Sequence, residues 1–226
     1  MNKEIRVLIG CEESQAVCIE FRKLGVEAYS CDIQECSGGH PEWHLQEDIF
    51  EVINREHWDC MIAFPPCTHL AVSGAAHFEK KREDGRQQEG IDFFMKLTQT
   101  TIKHWAIENP VGIMSNIYRK PNQVIQPYYF GDEAQKTTCL WLKNLPPLYH
   151  NSAPNLFDQE ITHVSKGEFC TWVDGKTGKI KQKSKFMERG FTQSERGKAR
   201  SKTFPGIAKA MAIQWTEYLI IKLLNQ

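Results

Sequence analysis

The chain has 226 residues, 41% of them hydrophobic, with 28 basic and 28 acidic side chains. That length supports one substantial core, and the balanced charge describes an ordinary soluble globular protein whose composition names no partner. No apolar run approaches the ~20 residues of a membrane span, and Met1-Asn2-Lys3-Glu4 leads straight into a strand without a signal peptide. The expectation is a cytoplasmic protein, with no membrane association and with its eight cysteines reduced.

Residues Ile5 to Ile9 read as a first buried strand. Gly10-Cys11-Glu12-Glu13 follows, then Ser14 as the N-cap of a helix with Val17, Cys18, Phe21 and Leu24 at helical spacing and Gly25 as its stop. A second strand, Val26 to Cys31, ends in Asp32, where an acidic group can accept hydrogen bonds from ribose hydroxyls. No GxGxxG is present, which weakens a dinucleotide reading. Cys31, Cys36, His40 and His44 form a CxxxxC–HxxxH pattern that could ligate zinc. The competing reading, which assigns no metal, makes Ser37-Gly38-Gly39-His40-Pro41 a turn on the ribose side of a cofactor.

The next strand is the apolar run Cys60-Met61-Ile62-Ala63-Phe64, stopped by Pro65-Pro66 because proline has no N–H to donate. Cys67 therefore sits just past a strand end, where open α/β sheets bind ligands, on a loop stiffened by two prolines. Packing as a small apolar residue is its plain alternative. Lys80 to Arg86 reads as a charged, solvated stretch, and Ile91, Phe94, Leu97, Thr101 and Ile102 mark one face of a crossover helix. Trp105-Ala106-Ile107 is a further strand, ending in Glu108-Asn109-Pro110. An irregular, Tyr- and Pro-rich stretch leads to Phe130 through Thr138 and a strand from Cys139 to Leu142. Lys136, at the mouth of that strand, is either a site cation or a solvated lysine.

Composition shifts after Pro146. Between Lys166 and Lys202 stand eleven basic residues against four acidic ones, a net charge of 11 − 4 = +7. Such a segment presents a basic surface suited to phosphate backbones, with Phe169, Trp172, Phe186 and Phe191 available to stack on bases. A solvated hairpin around Asp174-Gly175-Lys176-Thr177-Gly178 is the alternative. A closing helix follows Pro205, with Ile207, Ala210, Met211, Gln214, Trp215, Tyr218 and Leu219 at helical spacing. The whole reads as an α/β fold with a mostly parallel, doubly wound Rossmann-like sheet. Residues 1–145 and 203–226 would form the catalytic domain and 146–202 a small basic insert.

Pro65-Pro66-Cys67, Ser73-Gly74 and Glu108-Asn109 resemble the catalytic-loop and Glu-Asn motifs of the DNA cytosine-5 methyltransferase family, in the family's order. The resemblance implies S-adenosylmethionine (SAM) as methyl donor, DNA as partner, Cys67 as the nucleophile at cytosine C6 and Glu108 as the acid at N3. Asn109 and Pro66 would fix the loops, and Lys136 would stand where an arginine of a Gln-x-Arg-x-Arg motif is expected. On the cofactor side it implies Gly10, Cys11 and Glu12 in the first motif, Asp32 and Ile33 in the second, Asp48 and Ile49 in the third, and Pro65 beside them. Gly10-Cys11-Glu12-Glu13 departs from the usual glycine-rich form. Two other readings stay open: the same site acting on a free cytosine nucleotide or with a modified donor, and a nucleic-acid-binding relative without turnover.

Overall fold

The computed structural model describes residues 5–152, 161–175, 177–185 and 201–224. Among these, β1 (Arg6–Gly10), β2 (Glu27–Cys31), β3 (His44–Leu45), β4 (Cys60–Ala63), β5 (His104–Pro110), β6 (Gln123–Ile125) and β7 (Thr138–Lys143) form one sheet in the order β3-β2-β1-β4-β5-β7-β6. The first five strands are parallel, and β7 runs antiparallel to both of its neighbours. Val7-Leu8-Ile9 and Cys60-Met61-Ile62-Ala63 are apolar without alternation because both faces of the sheet are covered, and every one of these residues is fully buried.

Helices supply the cover: α1 (Ala16–Lys23), α2 (Ile49–Arg55), α3 (Phe78–Glu83), α4 (Arg86–Thr98), α5 (Met114–Ile117) and α6 (Pro205–Leu224). Val7 and Ile9 point to one face, where they pack with Phe21 of α1 and Met211, Trp215 and Leu219 of α6. Leu8 and Met61 point to the other, against Val52, Phe94, Leu97 and Trp141. The chain runs outward from β1 through β2 to β3, then returns to place β4 on the other side of β1. That reversal is a topological switch point, and it opens a crevice at the carboxyl ends of β1 and β4. Gly10 and Ala63 are register partners there. A Cβ on Gly10 would overlap Ile49 Cδ1, so the bare backbone lets α2 lean onto the strand end.

Four local expectations are corrected. Ser14 does not cap α1; the helix starts at Ala16 behind Gln15, whose φ is 58°, and the capping carboxyl comes from Glu12 instead. The 80–86 stretch is not uniformly solvated. It spans most of α3, and Lys81 is buried with Nζ donating to Thr68 O at 2.6 Å. The helix expected through Thr101 and Ile102 ends at Thr98, whose hydroxyl turns back onto Met95 O at 2.7 Å. β5 does not stop at Ile107 but continues to Pro110, because β7 pairs with it as far as Pro110 and Thr138.

Two residues of the CxxxxC–HxxxH pattern, His44 and Cys31, make hydrogen bonds that tie β2 and β3 to each other and to the loops beside them. His44 uses Nδ1 on Ser30 Oγ at 2.8 Å and Nε2 on Gln34 O at 2.9 Å, while Cys31 Sγ donates to Glu47 O at 3.4 Å. Among the described residues no three His, Cys, Asp or Glu side chains converge as metal ligands. Nor is any described helix long and apolar enough to cross a membrane.

The anticipated hairpin is formed by β8 (Phe169–Val173) and β9 (Ile180–Ser184), paired antiparallel. Asp174 Oδ1 accepts from Thr177 N and Thr177 Oγ1, each at 2.8 Å, and this folds the turn. Lys176, Phe186, Arg189, Phe191, Arg196, Lys198 and Arg200 lie outside the described residues.

Candidate active site

A cleft of about 1160 Å³ lies over the carboxyl ends of β1, β2, β4 and β5. One half is walled by Cys11, Glu12, Asp32, Ile33, Asp48 and Ile49, the other by Pro65, Pro66, Cys67, Glu108 and Lys136. The fold thus gathers nearly every anticipated site residue into one cavity. Gly10 and Asn109 stand just behind its wall, Gly10 as the last residue of β1 and Asn109 inside β5.

The half that carries Cys67 and Glu108 is built from two strand ends. Phe64 N extends the β4 ladder by one bond to Gly10 O at 2.9 Å, and the prolines then end it. Cys67 O accepts from Leu70 N and Ala71 N, both at 3.0 Å, so the thiol-bearing residue heads a tight turn. That turn is stitched to the chain after β5 by Val72 N to Val111 O and Ile113 N to Leu70 O, also at 3.0 Å. Gly112 allows the approach, since a Cβ there would overlap Leu70 O. Behind the loop, Asn109 is 1% exposed and its Nδ2 donates to Pro65 O at 3.0 Å. Asn109→Ala strands that carbonyl in the interior. It is expected to cost about 1–3 kcal/mol, measurable as a lower midpoint in chemical denaturation.

The electrostatics of the pair are set mainly by burial. Burial pushes the Cys67 thiol above its ordinary value, the Glu108 carboxylate adds to the rise, and Lys136 pulls against both. Lys136 is thus present but outweighed. Glu108 is likewise raised by burial, against the pull of Lys136 and a hydrogen bond with Thr138. A raised carboxyl is a proton donor, and a thiol next to it becomes a nucleophile when it gives up its own proton.

In the other half, Asp32 Oδ1 accepts from Gln34 N at 2.9 Å, which shapes the turn after β2. Ile33 beside it is 76% exposed, an apolar side chain left on the cleft rim. Asp48 caps α2 by accepting from Phe50 N at 2.7 Å. Glu12 is 4% exposed and accepts from Val17 N at 2.7 Å and Cys18 N at 3.2 Å. Burial pushes its carboxyl up to about 8 in spite of those two bonds. Cys11, with φ at 59°, donates its backbone N–H to Cys31 O at 2.7 Å.

Sequence reasoning did not single out Thr138 as a partner of Glu108, nor Phe93 and Thr203 as cleft walls. Thr138 was signalled only by its place two residues after Lys136. Phe93 lies next to the core residue Phe94 on α4 and carries no pattern of its own.

No protein-family model matches the chain, and no curated protein matches it in sequence. Among solved structures it is similar to a prophage-encoded protein of E. coli named as a DNA modification methyltransferase, at 16% identity and a TM-score of 0.46, over 72% of this chain and 53% of that one. It is also similar to the Entamoeba histolytica methyltransferase EhMeth, at 14% identity and a TM-score of 0.48, over 71% of this chain and 58% of that one. The chain thus matches little more than half the length of either.

Proposed function

We propose that this protein transfers a methyl group from SAM to C5 of cytosine in DNA. The observation that supports this most is the gathering of a thiol, a part-buried carboxyl and a cation, Cys67, Glu108 and Lys136, within electrostatic reach of one another in a cleft that Glu12, Asp32 and Asp48 also line. SAM supplies an electrophilic methyl group and carries no phosphate. The residues present suit it: Asp32 and Asp48 can accept hydrogen bonds from a nucleoside, and the exposed Ile33 offers an apolar face for a purine.

Cytosine C5 becomes nucleophilic only after addition at C6. In this reading the Cys67 thiolate forms a bond to C6, and the electron pair displaced toward N3 is met by the Glu108 proton. Lys136 offsets the thiolate charge before addition and the carboxylate charge after it. Once C5 is methylated, its hydrogen leaves as a proton to solvent, the Sγ–C6 bond breaks with its electron pair returning to sulfur, and N3 gives its proton back to Glu108. Asn109 and the Pro65-Pro66 loop hold sulfur and carboxyl at a fixed separation throughout. A base inside a duplex cannot reach this wall, so the target is turned out of the stack.

The β8–β9 hairpin would serve as the DNA-facing part of the 146–202 insert. Ser184 at its base lines the cleft, while Trp172, Val173 and Ile180 toward its tip are exposed. Label from methyl-labelled SAM is expected in duplex DNA and in neither single-stranded DNA nor dCMP. Label in dCMP alone would move the substrate to the nucleotide pool, and SAM binding without any labelling would reject this acceptor.

A further inference from the structure

We propose that Glu12 is a built-in plug of the α1 N-terminus that sets the charge class of the donor, closing that end of the cleft to phosphate-bearing nucleotides. The inference rests on reading the cleft as a donor site, but its test does not depend on SAM.

The N–H groups at the start of a helix that follows a strand are a standing invitation to anions, because they are unpaired within the helix and carry its positive dipole end. Here that invitation is already answered from within the chain. Val17 N and Cys18 N each hold one oxygen of Glu12, at 2.7 and 3.2 Å, and the side chain is almost wholly buried. The plug works in either protonation state, since the carboxyl fills the space and takes both N–H groups whether or not it is ionised.

An ordinary helix cap would be simpler. A Ser, Thr, Asp or Asn immediately before the helix suffices, and Ser14 stands only two residues ahead of Ala16. Instead the backbone on both sides of Glu12 enters the left-handed region, at Cys11 (φ 59°) and Gln15 (φ 58°). Neither is a glycine, and each such residue costs about 1 kcal/mol or more. The turn is secured by Cys11 N and Glu12 N, which both donate to Cys31 O, at 2.7 and 3.3 Å. Gln15 is held by its own amide on Ser30 and His40, but the strain at Cys11, directly before Glu12 and on the cleft, points to selectivity rather than to helix stability alone.

The surrounding charge acts in the same sense. Glu13, Asp32 and Asp48 share this half of the cleft. Among the described lining residues the only Lys or Arg is Lys136, on the opposite wall with Cys67 and Glu108. A diphosphate laid along α1 would meet carboxylates and no unoccupied N–H pair, whereas a phosphate-free donor with a cationic sulfur would meet favourable charge.

The experiment compares ADP and SAM binding to the full chain by isothermal titration calorimetry, in wild type, Glu12→Ala and Glu12→Asp, with circular dichroism as the check on folding. Wild type is expected to ignore ADP. Glu12→Ala uncovers the N–H pair and is expected to gain ADP affinity at least about 10-fold. Glu12→Asp keeps the carboxyl but falls a methylene short of the N–H groups; its gain is smaller in the same direction, and it carries the test should the alanine variant not fold. ADP binding by wild type, or folded variants with no gain, would overturn the plug and leave Glu12 a structural cap. Failure of wild type to bind SAM would reject the donor assignment while the ADP result still decides the plug.

Discussion

Cys67→Ser is expected to lower methyl transfer to duplex DNA by about 10³-fold or more while leaving the protein folded. The substitution exchanges one atom on a half-buried side chain at the head of a turn whose bonds are made by the backbone, so the change in stability should stay within about 1 kcal/mol. What disappears is a group that can be a strong nucleophile near neutral pH. A hydroxyl in the same place is barely ionised, and burial together with Glu108, which already push the thiol upward, would push the alcohol further. Transfer rates with labelled SAM, alongside unchanged thermal melting, check this. A serine variant that keeps a tenth of the wild-type rate would remove Cys67 from the role of nucleophile.

Glu108→Gln is expected to slow transfer by about 10²–10⁴-fold, because the amide can hydrogen-bond to N3 but cannot hand over a proton. Its pH dependence is the sharper outcome. The reactive form needs Cys67 without its proton and Glu108 with one, and both groups are raised above their ordinary values. With the carboxyl titrating below the thiol, as their ordinary values do, the acid is in place below the Glu108 value and the rate climbs with pH as thiolate accumulates. Between the two values the gain in thiolate is cancelled by the loss of acid, giving a plateau, and above the thiol value the rate falls. In Glu108→Gln the second requirement is gone, so the plateau is expected to become a continuous rise up to the thiol's own pKa. That value should itself be lower, since the carboxylate that opposes thiol ionisation has been removed. A variant that keeps the wild-type plateau would show that Glu108 is not the acid.

What was legible in advance was whatever depends on short-range pattern. β1 and β4 were readable because a strand covered on both faces is a short, unbroken apolar run, and the Pro65-Pro66 stop by itself places Cys67 at a strand end. Glu108 and Lys136 were also marked, but their opposition across one wall was not, because it depends on β7 returning antiparallel beside β5. The same pairing carried β5 three residues beyond its expected end, which a proline in the sequence seemed to forbid; Pro110 is the last residue of the strand and lies past Ile107, where the pairing with β4 stops. Ser14 looked like a cap because local chemistry favours serine there; a buried glutamate from the preceding turn took the position through a contact that spacing rules do not describe. Lys81 was hidden for a related reason. Its neighbours Lys80 and Arg82 are solvated, and only the fold of the Cys67 loop supplies a carbonyl for it at Thr68.

The bonds on α6 carry one more consequence. Tyr149 exchanges two hydrogen bonds with Gln214, giving N to Oε1 at 2.6 Å and receiving Nε2 on O at 3.0 Å, while Asp132 takes Gly206 N at 2.8 Å. The chain therefore leaves the sheet at one point of α6 and comes home to the same helix, Gly206 and Gln214 being roughly 12 Å apart along its axis at 1.5 Å per residue. An excursion with both ends moored to one rigid rod still reaches the cleft between them: Ser184 and Thr203 line it, and Ser184 Oγ accepts from Gln135 N, next to Lys136, at 3.4 Å. Doubling its length would raise the closure entropy by only about 0.6 kcal/mol. Length added at the turn between β8 and β9 is therefore cheap, whereas a change at Ser184 or Thr203 reaches the wall that carries Lys136.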